Sequence, residues 1–126
     1  MDSITKAKLH INDAKSFLIN DAREEDYLYQ NRRFVKKAGH LAYAGLLLVI
    51  NKLLLNKDKT RSKEWYENEL FKIDKKITSD FVIAYQILYI GMGYDGTRSV
   101  QLAHLGLKKA EKIIGWVENR LTNHTK

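Results

Sequence analysis

A chain of 126 residues is one domain by length, long enough to bury about two-thirds of its unfolded surface without disulfide staples. It has no cysteine, which excludes disulfides, thiolate metal sites and cysteine nucleophiles, and no proline, so nothing forbids long helices. Its 22 Lys and Arg against 15 Asp and Glu leave a formal charge of +7, which favours acidic partners such as nucleic acid by long-range attraction.

The N-terminus, "MDSITKAKLHINDAKSF", lacks the basic and apolar regions of a secretion signal. Residues 3–26 are predicted as an amphipathic helix. Ile4, Ala7, Ile11, Ala14 and Leu18 recur at spacings of three and four, Phe17 widens the stripe, and Asp2 or Ser3 caps the start. The acidic group "REED" (23–26) predicts a break near Asp26.

A second helix is expected over 29–56. Val35, Ala38, Ala42, Val49 and Leu53 form one seam, while Leu41, Leu48 and Leu55 fall on another side. A helix apolar nearly all round must be covered on several sides, so it is the centre of a bundle or also meets a second copy. Its apolar window, "LAYAGLLLVINKLLL", is interrupted by Asn51 and Lys52 and is shorter than the roughly 20 residues of a membrane span. The expectation is therefore a cytoplasmic protein with no membrane contact.

The polar run 56–65 reads as a loop entering a short helix over 62–74, with Trp65, Tyr66, Leu70 and Phe71 turned inward. Thr78 or Ser79 is expected to cap a helix over 79–91 that turns Phe81, Val82, Tyr85, Leu88 and Tyr89 toward the core. Gly91, Gly93 and Asp95-Gly96 end it. A last helix over 97–121 carries the seam Val100, Ala103, Leu107, Ala110, Ile114, Val117 and Leu121. No strand pattern and no repeat is visible. The predicted fold is all-α, an antiparallel up-and-down bundle of four long helices plus one short helix, and residues 1–126 make a single domain.

The residues exclude several chemistries. A di-iron bundle needs Glu-x-x-His on two helices, and neither copy is present, so no metal is expected. "GMGYDG" (91–96) follows a helix and lacks the Lys-Ser/Thr of a phosphate loop, so it reads as a helix terminator. No cofactor is expected. Arg32, Arg33, Lys36 and Lys37 form the tight basic cluster, the natural contact for an acidic partner or RNA. His40 and Tyr43 follow them and suggest a polar pocket at a helix crossing, though a histidine at such a boundary is more commonly a hydrogen-bonded packing residue.

The segment "YQNRRFVKKAGHLAYAGLLLVINKLLL" resembles the second helix of the HEPN superfamily (higher eukaryotes and prokaryotes nucleotide-binding domains). "AKLHINDAKSFL" is similar to that superfamily's opening helix, and "ILYIGMGYDG" with "TRSVQLAHLGLKKAEKIIGWVENRL" is similar to its closing turn and helix. The "GYDG" turn is shared with a small bacterial branch described as a domain of unknown function. The resemblance implies a homodimer. It also implies, as an alternative, a metal-independent ribonuclease of toxin–antitoxin type, carried in many members by an arginine and a histidine with four to six residues between them at a dimer cleft.

Arg98 and His104 have that spacing, with histidine as acid or base and arginine stabilising phosphorane-like charge. If both stood on one helix they would diverge by about 120° around the axis and about 9 Å along it. The family's arginine is expected near "YIGMG", which has no basic residue. The motif therefore reads as degenerate. The favoured expectation is a non-catalytic interaction or accessory domain taking a nucleotide, RNA or a protein partner. The alternatives are the ribonuclease using Arg98 and His104, and a small-molecule binder using Arg32, Arg33, His40 and Tyr43.

Overall fold

Asp2 accepts a hydrogen bond from the Thr5 amide at 2.7 Å and so starts α1 (Ser3–Ser16), which buries Ala7, Ile11 and Ala14. The computed structural model describes residues 2–57 and 59–124. Past Ser16 the helix widens into a π-helical turn, Phe17–Asp21, which buries Leu18 and closes with the Ala22 amide donating to Phe17 O at 2.9 Å.

The expected continuation to residue 26 does not occur. Arg23 adopts φ 56°, and a hairpin of β1 (Glu24–Glu25) and β2 (Leu28–Tyr29) follows. The chain reverses through Asp26 and Tyr27, at φ 53° and 65°, the positive values that a two-residue hairpin turn needs. No glycine or asparagine marks this turn, which is why the sequence gives no strand signal. The hairpin is stitched to the strand-like residues before the last helix. Leu28 bridges Ser99, and the Tyr29 amide donates to Arg98 O at 2.8 Å.

Because Tyr29 is held in that hairpin, α2 starts at Arg32 and runs to Leu53. It is the central helix, packed against α1, against the segment before the last helix and against the last helix itself. Its outer side carries Leu41 and Leu48, half-buried, and Ala44, exposed. Leu55, which follows the helix, is 86% exposed. Asn51 is buried yet satisfied: its Oδ1 accepts from Asn56 Nδ2 and from the Tyr66 hydroxyl, both at 2.8 Å. The residue that interrupts the apolar window is thus the anchor for the following loop.

Ser62 caps α3 (Lys63–Phe71), accepting from the Trp65 amide at 3.1 Å. Tyr66 and Leu70 enter the core, but Phe71, expected inward, is 55% exposed with the Lys75 ammonium 5.5 Å from its ring centre. Asp74, rather than Thr78 or Ser79, caps α4 (Lys75–Ala84) by accepting from the Ile77 amide at 2.9 Å. The helix then passes without a break into a ten-residue π-helical segment, Tyr85–Tyr94. Ser99 Oγ accepts from the Leu102 amide at 3.1 Å and opens α5 (Val100–His124), three residues later than expected. Its seam is buried from Val100 to Val117, with Leu121 half-buried.

These helices form an antiparallel bundle, four long and one short, when α1 and α4 are counted with their π-helical extensions. Among the described residues no helix is long and apolar enough to cross a membrane. Two contacts define its tightness. A Cβ on Gly39 of α2 would lie 2.6 Å from Met92 Cβ and 2.8 Å from the Gly93 nitrogen, so glycine lets α2 and the π-helical segment touch backbone to backbone. Asp80 of α4, its side chain 6% exposed, is held by Lys109 at 2.9 Å and Lys112 at 3.0 Å of α5. Burial pushes its carboxyl up, but the hydrogen bonds and charges of the two lysines outweigh this and hold it below its ordinary range.

Candidate functional site

Arg98 and His104 do not share a helix. Arg98 precedes α5, and its side chain turns back to the hairpin: Nε donates to Tyr29 O at 3.0 Å and Nη2 to Gln30 Oε1 at 3.2 Å. With the Tyr29 amide bonded to its own carbonyl, Arg98 ties the hairpin to the root of α5. His104, on the first turns of α5, is exposed and has no hydrogen-bond partner among the described residues. The two side chains are therefore not related by the angle and rise of one helix, and the arginine's donors on two sides are committed to the fold.

His104 instead lines a cleft of about 720 Å³. One wall is the end of α1 with its π-helical turn, contributing Leu18 and Ile19. The second is the hairpin, contributing Glu24 and Tyr29, and the third is α5, from Gln101 to Glu111. Lys15 and Glu111 pair across it at 2.9 Å. The cleft depends on the hairpin that Arg98 holds. The sequence pair is thus linked structurally, with one residue positioning a wall and the other facing the space.

The basic cluster of α2 divides into two kinds of residue. Arg32 is a structural donor: Nε bonds Gly96 O at 3.0 Å and Nη2 bonds Asp95 O, closing the turn after the π-helical segment. Gly96 there has φ 60°, which glycine adopts freely, and a Cβ on it would meet the Lys36 stem at 3.0 Å. Arg33, Lys36 and Lys37 are exposed and have no carboxylate partner among the described residues. Lys37 lies 5.3 Å from the Phe34 ring centre.

Beside these cations His40 meets Tyr89 edge-on at 5.8 Å and Tyr94 at 6.4 Å between ring centres. Tyr43 continues the cluster inward, 5.2 Å from Tyr89 and 5.7 Å from Tyr85. Burial pushes the Tyr43 phenol up strongly, so it stays neutral, and the hydrogen bond with Tyr94 pushes Tyr89 up. Lys63 extends the cationic edge, 6.0 Å from the Tyr85 ring. Tyr94 is 62% exposed and, with the exposed His40, makes the accessible part of the group.

His40 and Tyr43 stand out in the sequence, whereas nothing there marks Tyr94 by itself, and Tyr89 suggests only packing. The signal was their spacing. Tyr85, Tyr89 and Tyr94 are four and five apart, and a five-residue step stays on one face when the helix is π-wound. Among the described residues no three acidic or imidazole groups converge as a metal site.

The profile of the family described as "Domain of unknown function (DUF5618)" matches residues 2–119. The chain belongs to the DUF5618 family. A solved structure, a protein of unknown function from Dyadobacter fermentans, is similar to this DUF5618 chain throughout. It shares 38% identity over 94% of this chain and 95% of its own, with a TM-score of 0.87. No curated protein matches.

Proposed function

We propose that this DUF5618 chain is a non-catalytic, HEPN-like binding module of the bacterial cytoplasm that takes single-stranded RNA on the face formed by α2 and the π-helical segment. The observation that carries this reading is the His40, Tyr89 and Tyr94 ring cluster beside three uncompensated cations, Arg33, Lys36 and Lys37. Rings present faces on which bases stack, and cations track the phosphates, the combination that single strands need. The charge of +7 adds attraction at a distance. Engagement of the Arg98 guanidinium by the hairpin supports the non-catalytic reading over a ribonuclease using Arg98 and His104.

The test is fluorescence anisotropy with a labelled oligouridine across a salt series. Three phosphate contacts predict a log–log salt slope of about −2. Tyr94→Ala is expected to weaken binding by roughly tenfold, the loss of one stacked base. Reversing Arg33, Lys36 and Lys37 to glutamate should abolish it. Binding that ignores both salt and Tyr94 would remove the proposal.

A homodimer is the second reading, supported by the outward stripe Leu41, Ala44 and Leu48 with Leu55 beyond it. Apolar side chains in a row on a central helix are costly to leave in water.

A further inference from the structure

The cleft between α1, the hairpin and α5 shares no residue with the proposed RNA face, and its construction points to a ligand of its own. Three features converge on it. The end of α1 is π-wound where it forms a wall, and such bulges are frequent at functional sites. The opposite wall is a hairpin whose turn residues Asp26 and Tyr27 take the positive φ of a two-residue turn, held in place by Arg98. Between them sits Tyr29, only 2% exposed, whose hydroxyl has no protein hydrogen-bond partner among the described residues and keeps its small accessible area at the cleft. A hydroxyl that the fold leaves without a protein partner is open to a ligand that enters the cleft.

The cleft is chemically different at its two ends. At the hairpin end, Glu24 pairs directly with Tyr29 across the strands, so both side chains stand on the same face. An unpartnered hydroxyl beside a carboxylate suits a ligand hydroxyl, which donates to one and accepts from the other. Farther along α5 stands Lys108, which has no carboxylate partner among the described residues, with His104 one turn before it. Lys15 and Glu111, which also line the cleft, already neutralise each other. Leu18, Leu105 and Leu107 supply the apolar middle. Gln101, level with the hairpin, and Lys108 stand roughly 10 Å apart at the rise of an α-helix.

From this arrangement we infer that the cleft binds an elongated organic acid with a hydroxyl at the opposite end. The hydroxyl sits on Tyr29 and Glu24, the apolar body on the three leucines, and the carboxylate on Lys108 and His104. A volume of about 720 Å³ lies within the range of small-molecule sites. Hydroxyaryl acids and medium-chain ω-hydroxy acids both have this plan.

The experiment is an amide-resolved NMR titration of the full chain with para-hydroxycinnamate and with ω-hydroxyoctanoate, using cinnamate as the probe that lacks the hydroxyl. The expected result is shifts confined to the cleft and an affinity for para-hydroxycinnamate about fivefold above that for cinnamate, the worth of one hydrogen bond. Tyr29→Phe should bring the two acids to equal affinity without lowering the melting temperature, because its hydroxyl has no protein partner to lose. Lys108→Glu should weaken both acids by about tenfold and preserve their ratio. The inference is overturned if neither hydroxy acid shifts cleft amides at about 5 mM, weaker than any millimolar site. It is equally overturned if Tyr29→Phe retains the discrimination, if Tyr29→Phe destabilises the fold, or if the shifts map to His40 and Tyr94. That last outcome would leave the RNA proposal standing.

Discussion

Two glycine-to-alanine substitutions on different helices are expected to move stability in opposite directions. On α2, a Cβ at Gly39 would sit 2.6 Å from Met92 Cβ and 2.8 Å from the Gly93 nitrogen. Carbon contacts are optimal at about 3.5–4.0 Å, so the two backbones must separate by about 1 Å. Two obstacles, the Leu88 carbonyl oxygen and the Gly93 nitrogen, are main chain, which has no alternative rotamer. The overpacking cost therefore belongs near the upper end of its range, about 3 kcal/mol. Alanine's advantage over glycine inside a helix returns about 1 kcal/mol, leaving Gly39→Ala destabilised by about 2 kcal/mol. Gly115 on α5 has nothing within 4 Å of a Cβ, so Gly115→Ala keeps the full helical gain of about 1 kcal/mol. Urea unfolding with a shared slope measures both. The variants should differ by about 3 kcal/mol, or about 10 °C in melting temperature for a chain of this size. If Gly39→Ala is as stable as the parent, α2 and the π-helical segment are not in backbone contact, and the placement of Tyr89 and Tyr94 beside His40 falls with it.

Asp80→Asn should cost about 2 kcal/mol at neutral pH, the value of hydrogen bonds between a buried carboxylate and cationic donors. Because the folded carboxyl lies below its ordinary value of 3.8, that stabilisation is complete above 3.8 and is lost as pH falls through the lower folded value. Stability curves of parent and variant should run parallel at neutral pH and converge in strong acid; a gap that widens on acidification would reverse the assignment. Arg98→Ala should lower stability by about 1–2 kcal/mol and expose the hairpin to limited proteolysis, since a charged donor to two acceptors is lost. His104→Ala should leave stability unchanged, and neither parent nor variant should cleave RNA in a gel assay; cleavage by the parent that His104→Ala abolishes would restore the ribonuclease. Sedimentation equilibrium should find a dimer in the parent and a monomer in Leu48→Glu, whereas a monomeric parent would end the dimer reading.

The periodic helices were legible because each buries one face and so repeats its apolar residues every three or four positions. Ala7 to Leu18, Val35 to Val49 and Val100 to Val117 all lie where that period places them. Helix ends were less legible. Asp74 and Ser99 act as caps only because the backbone turns there, and other polar residues nearby had equal claim by type. The hairpin was invisible, since Asp26 and Tyr27 take positive φ without the glycine or asparagine that announces it.

The site residues divided for the same reason. Spacing alone paired Arg98 with His104, but a side chain reaching from Arg98 to Tyr29 spans 69 positions, a contact no local pattern encodes. The four basic residues of α2 looked alike in sequence, and only the return of the chain through Asp95 and Gly96 turned Arg32 into a structural donor while leaving Arg33, Lys36 and Lys37 free. The sequence by itself determined what local periodicity and chain composition can encode, namely an all-helical bundle with a basic surface. Tertiary structure alone decided which polar groups are spent on the fold and which remain for a partner, because hydrogen bonds are claimed by whatever the fold brings within reach.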